Sequence, residues 1–220
     1  LVGLARPTSG NAKVAGADCV REARRIKRLV GYMPDTFGSY DNMRVGEYLD
    51  FFGAAFGIPR RERQRRIPEV LETVGLAGRM HYKIRTYSKG MKQRVGLAQA
   101  LMHNPEVIFL DEPTDGVDPV GRREIRGVMQ GLKKEGTTIF LNSPRLTGVG
   151  RVCDRVVILD HGRVVAQGPL TELLAERHLR VRVTDLPRPA TEILAAFGRL
   201  TEADGVVEFL LGRIAQVVDH

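Results

Sequence analysis

Thirteen residues near the middle of the chain, Val107 to Pro119 (VIFLDEPTDGVDP), constrain the fold more than any other stretch. Four apolar residues without a polar break are the pattern of a strand covered on both faces, as strands of parallel sheets are. Asp111 and Glu112 follow at once. Open α/β sheets bind ligands beyond the carboxyl ends of their strands, so this order puts a carboxylate pair at that rim. One carboxylate there can hold Mg2+, often through water, and the next can orient an attacking water. Taken alone, an apolar run ending in Asp-Glu is more often a strand that closes in a polar turn.

The run is not alone. Ser88 stands nineteen residues before Val107, in YSKGMKQRVGLAQAL, and opens a helix whose apolar face includes Val95, Leu97, Ala98 and Leu101. A serine hydroxyl and the unpaired amides of a helix start form an anion site, and Gly90 lets a phosphate approach the backbone. A single such serine is usually a plain N-cap. The two features together, in this order and spacing, shift the balance toward a phosphate-handling site.

Hydrophobic periodicity predicts the surrounding elements. A short strand is expected over 11–16 after a turn at Pro7 to Gly10, then a basic helical turn over 21–28 and a strand over 29–33. Two helices fill Val45 to Leu76, parted by Gly57-Ile58-Pro59. A helix over 119–135 closes at Gly136, and Thr137 to Leu141 reads as a second buried strand. A hairpin turns at Asp160-His161-Gly162, and Leu170 to Glu176 is helical. This alternation predicts an α/β fold. Beyond His178 a strand over 179–183, a helix over 190–200 and a strand over 206–211 predict a small α+β appendage.

No run approaches the roughly 20 apolar residues of a membrane span, and the start carries no secretory pattern. Cys19 and Cys153 fit no metal-ligand spacing and are expected as reduced thiols, as in the cytosol. The formal charge is +8, densest at Arg60, Arg61, Arg63, Arg65 and Arg66. No aromatic residue lies among these arginines to stack on bases. A solvated helix face is the expectation over a nucleic-acid or anionic-membrane surface.

From Leu4 to about Glu176 the chain resembles the ATP-binding subunit of ABC transporters. LARPTSGNAKVAG is similar to the stretch after that family's phosphate-loop helix, and YSKGM sits at the signature usually written LSGGQ. FLDEPTDGVDP resembles the Walker B strand and D-loop, and DRVVILDHGRVVAQGPLTELL resembles the segment beyond the switch. The resemblance implies an ABC-type P-loop ATPase fold, a parallel sheet core plus a helical subdomain over about 41–98. The ATP-binding domain would cover 1–177, with an accessory segment over 178–220.

ATP and Mg2+ are the implied cofactors. Asp111 would coordinate the metal and Glu112 would act as general base. Ser88 and Gly90 would touch the γ-phosphate held by an opposite subunit. Asp118 would lie in the D-loop, and Asp35 falls at the usual Q-loop glutamine. Implied partners are a transmembrane permease subunit, gripped by residues 41–76, and a second ATP-binding subunit in a homo- or heterodimer, with no nucleic acid. The implied location is cytoplasmic, peripheral on the inner face of the cell membrane, in a system of export type.

Three departures qualify this. The phosphate loop G-x-x-x-x-G-K-[ST] occurs nowhere in the 220 residues. Family members carry it just upstream of where Leu1 begins, so an N-terminal truncation and an incomplete fold are expected. Unpaired edges at Val107 to Leu110, and a chain inactive toward ATP, are expected with it. Pro144 stands where the family has its switch histidine, and His81, His103 and His161 are expected in surface or capping roles instead. Lys89 and Met91 replace Gly and Gln of the signature, and Asp35 replaces Gln. A non-catalytic structural partner in an asymmetric transporter is the alternative expectation. A relative acting on DNA or ribosomes has only the charge behind it.

Overall fold

The computed structural model of the chain describes residues 1–35, 38, 40–143, 152–175, 179–184, 198–203 and 206–211. The chain divides into two compact units, Leu1–Val152 and Cys153–His220.

In the first unit, β1 (Lys13–Val14) turns through Ala15-Gly16 onto antiparallel β2 (Ala17–Asp18). Val14, Ala17 and Cys19 are buried with Ile26 of α1 (Ala23–Leu29), Val30 and Phe109. The chain then enters β3 (Val30–Met33). Three parallel strands, β3, β4 (Val107–Asp111) and β5 (Thr138–Asn142), form the sheet in the order β3-β4-β5. Val30 aligns with Val107, and Val107 with Thr138.

Two expectations are corrected here. Val107 to Leu110 has no unpaired edge, because β4 is hydrogen-bonded to β3 on one side and β5 on the other. Among the described strands, the edges fall on β3 and β5. Nor is β5 buried on both faces. Ile139 and Leu141 pack on the main core. Phe140 points the other way, 52% exposed, with its ring 5.1 Å from that of Phe109.

Between β3 and β4 run α2 (Val45–Ala55), α3 (Arg60–Thr73) and α4 (Lys89–Leu101). The backbone N–H of Arg44 donates to Glu47 at 2.8 Å, capping α2. Gly57, at φ 77°, makes the break between α2 and α3. Arg63 secures that break, since Nε donates to Asp50 at 2.7 Å and its guanidinium also to the Ile58 carbonyl at 2.7 Å. Tyr48 and Leu49 of α2, Leu71 of α3, Leu97 of α4, Leu110 of β4 and Met129 of α5 (Pro119–Lys134) share one core. That shared core fixes the helical segment against the sheet.

His103, in the turn between α4 and β4, is a link in that attachment. Its ring stacks on Phe56 at 3.9 Å, and Nε2–H donates to the Val30 carbonyl at 3.1 Å. Nδ1 is buried without a partner. Burial pushes the imidazole below its ordinary 6.5; the Val30 bond opposes this and nearby Arg66 adds to it. A lowered folded-state value means that the neutral ring's contribution is complete above pH 6.5 and is lost as the pH falls through that value. Urea midpoints are therefore expected to fall more steeply below pH 6.5 for the native chain than for His103→Gln. Equal slopes would refute this.

In the second unit, β6 (Arg155–Asp160) and β7 (Arg163–Pro169) form an antiparallel hairpin. His161 (φ 45°) and Gly162 (φ 77°) make its two-residue turn. α6 (Leu170–Ala175) follows, its first N–H donating to the Asp154 carbonyl at 2.9 Å. β8 (Leu179–Thr184), β9 (Gly198–Ala203) and β10 (Val206–Leu211) form a three-stranded antiparallel sheet ordered β8-β10-β9. The expected helix over 190–200 is corrected at its end: Gly198 to Leu200 pair with Leu211 to Phe209 in the ladder. Cross-strand pairing outweighs helical periodicity there; residues 190–197 lie outside the described residues. Among the described residues no helix is long and apolar enough to cross a membrane.

Candidate functional site

β4 delivers Asp111 to the carboxyl end of the sheet, opposite Asn142 of β5. The Asn142 side-chain amide donates to Asp111 Oδ1 at 2.8 Å, so one carboxylate oxygen is already held. Glu112 comes next with φ 45°. A left-handed backbone costs a non-glycine residue about 1 to 2 kcal/mol and persists only where neighbours impose it. Here they do: the Glu112 N–H donates to the Asn142 carbonyl at 3.0 Å, and its own carbonyl accepts from the Asp115 N–H at 3.0 Å.

The resulting turn folds Asp115 back toward the strand end, and Asp35 arrives from just beyond β3. Carboxylate oxygens of Asp35, Glu112 and Asp115 all lie within 4.8 Å of one another. Asp111 is not in that trio. Asp115 was missed in the sequence; the signal for it was its place in a tight Pro-Thr-Asp-Gly turn, which brings the third residue past Glu112 back to the rim. Three clustered carboxylates call for positive charge, and Lys89 Nζ supplies some, 3.4 Å from Asp115 Oδ2. As a set of hard oxygen donors, the trio fits a cation such as Mg2+.

The start of α4 adjoins this rim. Ser88 is the N-cap of α4, its hydroxyl accepting from the Met91 N–H at 3.3 Å. Gly90 is buried: a Cβ there would stand 3.1 Å from Val117 Cγ1. Its missing side chain thus serves the packing of α4 on the loop before α5. Gly116, at φ 58°, lies under the Lys89 side chain, where any Cβ would meet it. Asp118 caps α5, accepting from the Gly121 N–H at 2.6 Å, and Arg122 Nε donates to the Val117 carbonyl at 2.6 Å. The loop 112–118 is therefore joined to the start of α4 through Lys89 and Gly90. The resemblance puts Ser88 against a nucleotide of an opposite subunit; within this chain the start of α4 adjoins the loop after Glu112 through Lys89 and Gly90.

The described histidines lie elsewhere. His103 bonds Val30, at the opening end of the parallel strands, whereas Asp111 closes β4 at the other end. His81 is exposed, and the side chain of His161 is 96% exposed in its hairpin turn. Pro144, singled out at the switch position, lies outside the described residues.

A strand-borne acidic rim beside a serine-capped helix, on a parallel sheet with a helical insertion, defines a class of nucleotide-handling protein. The chain belongs to the ABC transporter family, whose model matches residues 1–115. Its likeness is to the ATP-binding part of that family. It is 44% identical, over 79% of its length and 49% of the relative's, to an uncharacterized ABC transporter ATP-binding protein of Synechocystis. It is 38% identical to the linearmycin resistance ATP-binding protein LnrL of Bacillus subtilis, over 78% of this chain and 55% of that one. The chain thus spans about half the length of these relatives. Among solved structures, cbiO1 of Clostridium perfringens, part of the transporter complex cbiONQ, superposes with a TM-score of 0.71. Identity there is 28%, over 79% of this chain and 71% of that one.

Proposed function

We propose that the chain is part of the ATP-binding subunit of an ABC transporter that couples ATP binding and hydrolysis to export through a separate membrane subunit, residues 1–220 by themselves being inactive toward ATP for want of a phosphate loop and a switch histidine. The observation that carries this reading is Glu112, held left-handed at the end of β4 with the Asp35 and Asp115 carboxylates beside it. Such strained residues cluster at sites of chemistry. Glu112 takes the proton of the attacking water at its carboxylate. Asp35 and Asp115, with Asp111 at the strand end outside their cluster, are the carboxylates that would hold Mg2+; the metal would supply positive charge to the phosphate oxygens. Ser88, at the start of α4, would face the γ-phosphate held by a second subunit, with Gly90 serving the packing of that helix start against Val117, and Asp118 would lie in the contact between the two.

The permease is read as gripped by residues 41–76 of the helical subdomain (about 41–98), where Phe51 is 52% exposed. The adjoining Tyr40 is 59% exposed, and the two rings meet edge-on at 6.3 Å. An exposed aromatic pair of this kind suits a protein interface. The ATP-binding domain is read as 1–177 and the accessory segment as 178–220, in a protein peripheral on the cytoplasmic face of the membrane. The lean to export is supported by relatives named for resistance to linearmycin and daunorubicin. Pro144 favours a second reading, a non-catalytic partner in an asymmetric pair, since proline has neither imidazole nor N–H for a γ-phosphate.

Glu112→Gln in the assembled transporter tests the assignment. Loss of a general base lowers turnover roughly 100- to 10,000-fold, and the KM for ATP is expected to stay nearly constant. Turnover unchanged by the substitution removes Glu112 from the chemistry. A fall in turnover without change in the folded state excludes the non-catalytic reading.

A further inference from the structure

The chain's charge is concentrated in two segments. Residues 21–28 and 60–66 together hold ten cations and two acids, an excess equal to the whole formal charge of +8. On α1, Ile26 is the buried residue, while Arg24, Arg25, Lys27 and Arg28 are exposed. On α3, Arg60, Arg61 and Arg65 are exposed. Arg24 and Arg28, like Arg61 and Arg65, are four residues apart and so share a helix face. The two helices are far apart in sequence, yet Arg28 lines the same cleft as Arg65 and Arg66, a cavity of about 510 Å³.

Glu62 and Glu69 line the cleft beside these arginines and offset part of the charge. Arg63 and Arg66 pair with Asp50 and Glu69; the exposed cations outside the cleft are less matched. Among the described residues, Arg24, Arg28, Arg60 and Arg61 have no ion-pair partner. Arg25 pairs with Glu22 at 2.9 Å and Arg65 with Glu69 at 3.7 Å. Both pairs are exposed, and such pairs hold their partners weakly. We infer that the exposed faces of α1 and the start of α3 form one basic surface that docks on an anionic lipid bilayer. The inference rests on the reading above, which puts the chain beside a membrane partner.

Nucleic acid is the less fitting polyanion. Stacking platforms for bases are absent from the arginine run, and the Phe56 ring in the cleft already has one face against His103. Guanidinium groups spread over two helices on either side of a cleft suit a field of lipid phosphates, each taken bidentately.

Vesicle sedimentation of the 220-residue chain tests this, using phosphatidylcholine alone and phosphatidylcholine with phosphatidylglycerol. Binding is expected only with phosphatidylglycerol and is expected to weaken with salt. Each cation near such a surface strengthens binding about fivefold. Reversal of Arg24, Arg28, Arg61 and Arg65 to Glu is therefore expected to lower it at least about a hundredfold. Reversal of Arg85, Arg123, Arg126 and Lys134 instead, with the same change in net charge, is expected to leave most of the binding. If the first variant does not fold, the same four residues changed to Gln give the comparison. No binding to either vesicle, equal losses in the two variants, or tighter binding to an oligonucleotide overturns the inference. Because the assay contains no nucleotide, its failure leaves the Glu112 assignment standing, and the reverse holds.

Discussion

Titration of Mg-ATP into residues 1–220 is expected to reach no saturation below roughly ten millimolar. No G-x-x-x-x-G-K-[ST] segment occurs in these residues, so the backbone cradle and lysine that such a loop provides are not contributed by them. Each charge-assisted hydrogen bond to a phosphate contributes about 1.5 to 3 kcal/mol. Four of them, taken at the low end, amount to about 6 kcal/mol, or about four decades of affinity. An affinity near the micromolar range would then fall to roughly tens of millimolar. Calorimetric titration of the purified chain reads this directly. Saturation at micromolar ATP, or Mg-dependent turnover lost in Glu112→Gln, would falsify the expectation.

Gly31→Ala is expected to cost about 3 kcal/mol of stability, the upper end for overpacking a closely fitted core. Gly31 sits within β3, where α4 crosses the strand. A Cβ at this position would run into the Ala100 carbonyl oxygen and stand 3.2 Å from its carbon, with Pro105 Cγ at 3.1 Å. The principal obstacle is backbone, which no rotamer change relieves, so helix and strand would have to separate. Gly127 on α5 is the contrast. Nothing lies within 4 Å of its would-be Cβ, and its φ is not in the left-handed region. Gly127→Ala is expected to raise stability by about 0.5 to 1 kcal/mol through helix propensity. Urea denaturation of both variants gives the comparison. A Gly31→Ala loss below about 1 kcal/mol, the lower end for overpacking, means the strand and helix have room the structure does not show.

The two glycines mark a wider division. Helix periodicity finds α4 and α5 equally well, yet says nothing about which glycine faces a neighbour. The same holds at the acidic rim. Asp111 and Glu112 were legible because a continuous apolar run has one sensible end. Asp115 was not, and Asp35 was marked only by the family resemblance, since the approach of both to Glu112 depends on a turn closing and on β3 lying beside β4.

Charge shows the same limit. The arginine run over 60–66 reads as a solvated face when only its own helix is considered. Its meeting with Arg28 across a cleft needs the fold.

Local physics, then, was enough for much of this protein. The apolar run into Asp111-Glu112, the serine cap at Ser88, the Gly57-Pro59 break and the His161-Gly162 hairpin each depend on residues within a few positions of one another. Tertiary structure decided what those pieces do together: β4 paired on both sides, Gly90 buried under Val117, Phe140 left exposed, Gly198 to Leu200 drawn into a strand. Each of these is set by contact with a segment distant in the chain. Whether a side chain meets backbone, solvent or another charge there is a property of the packed molecule, which periodicity and capping do not encode.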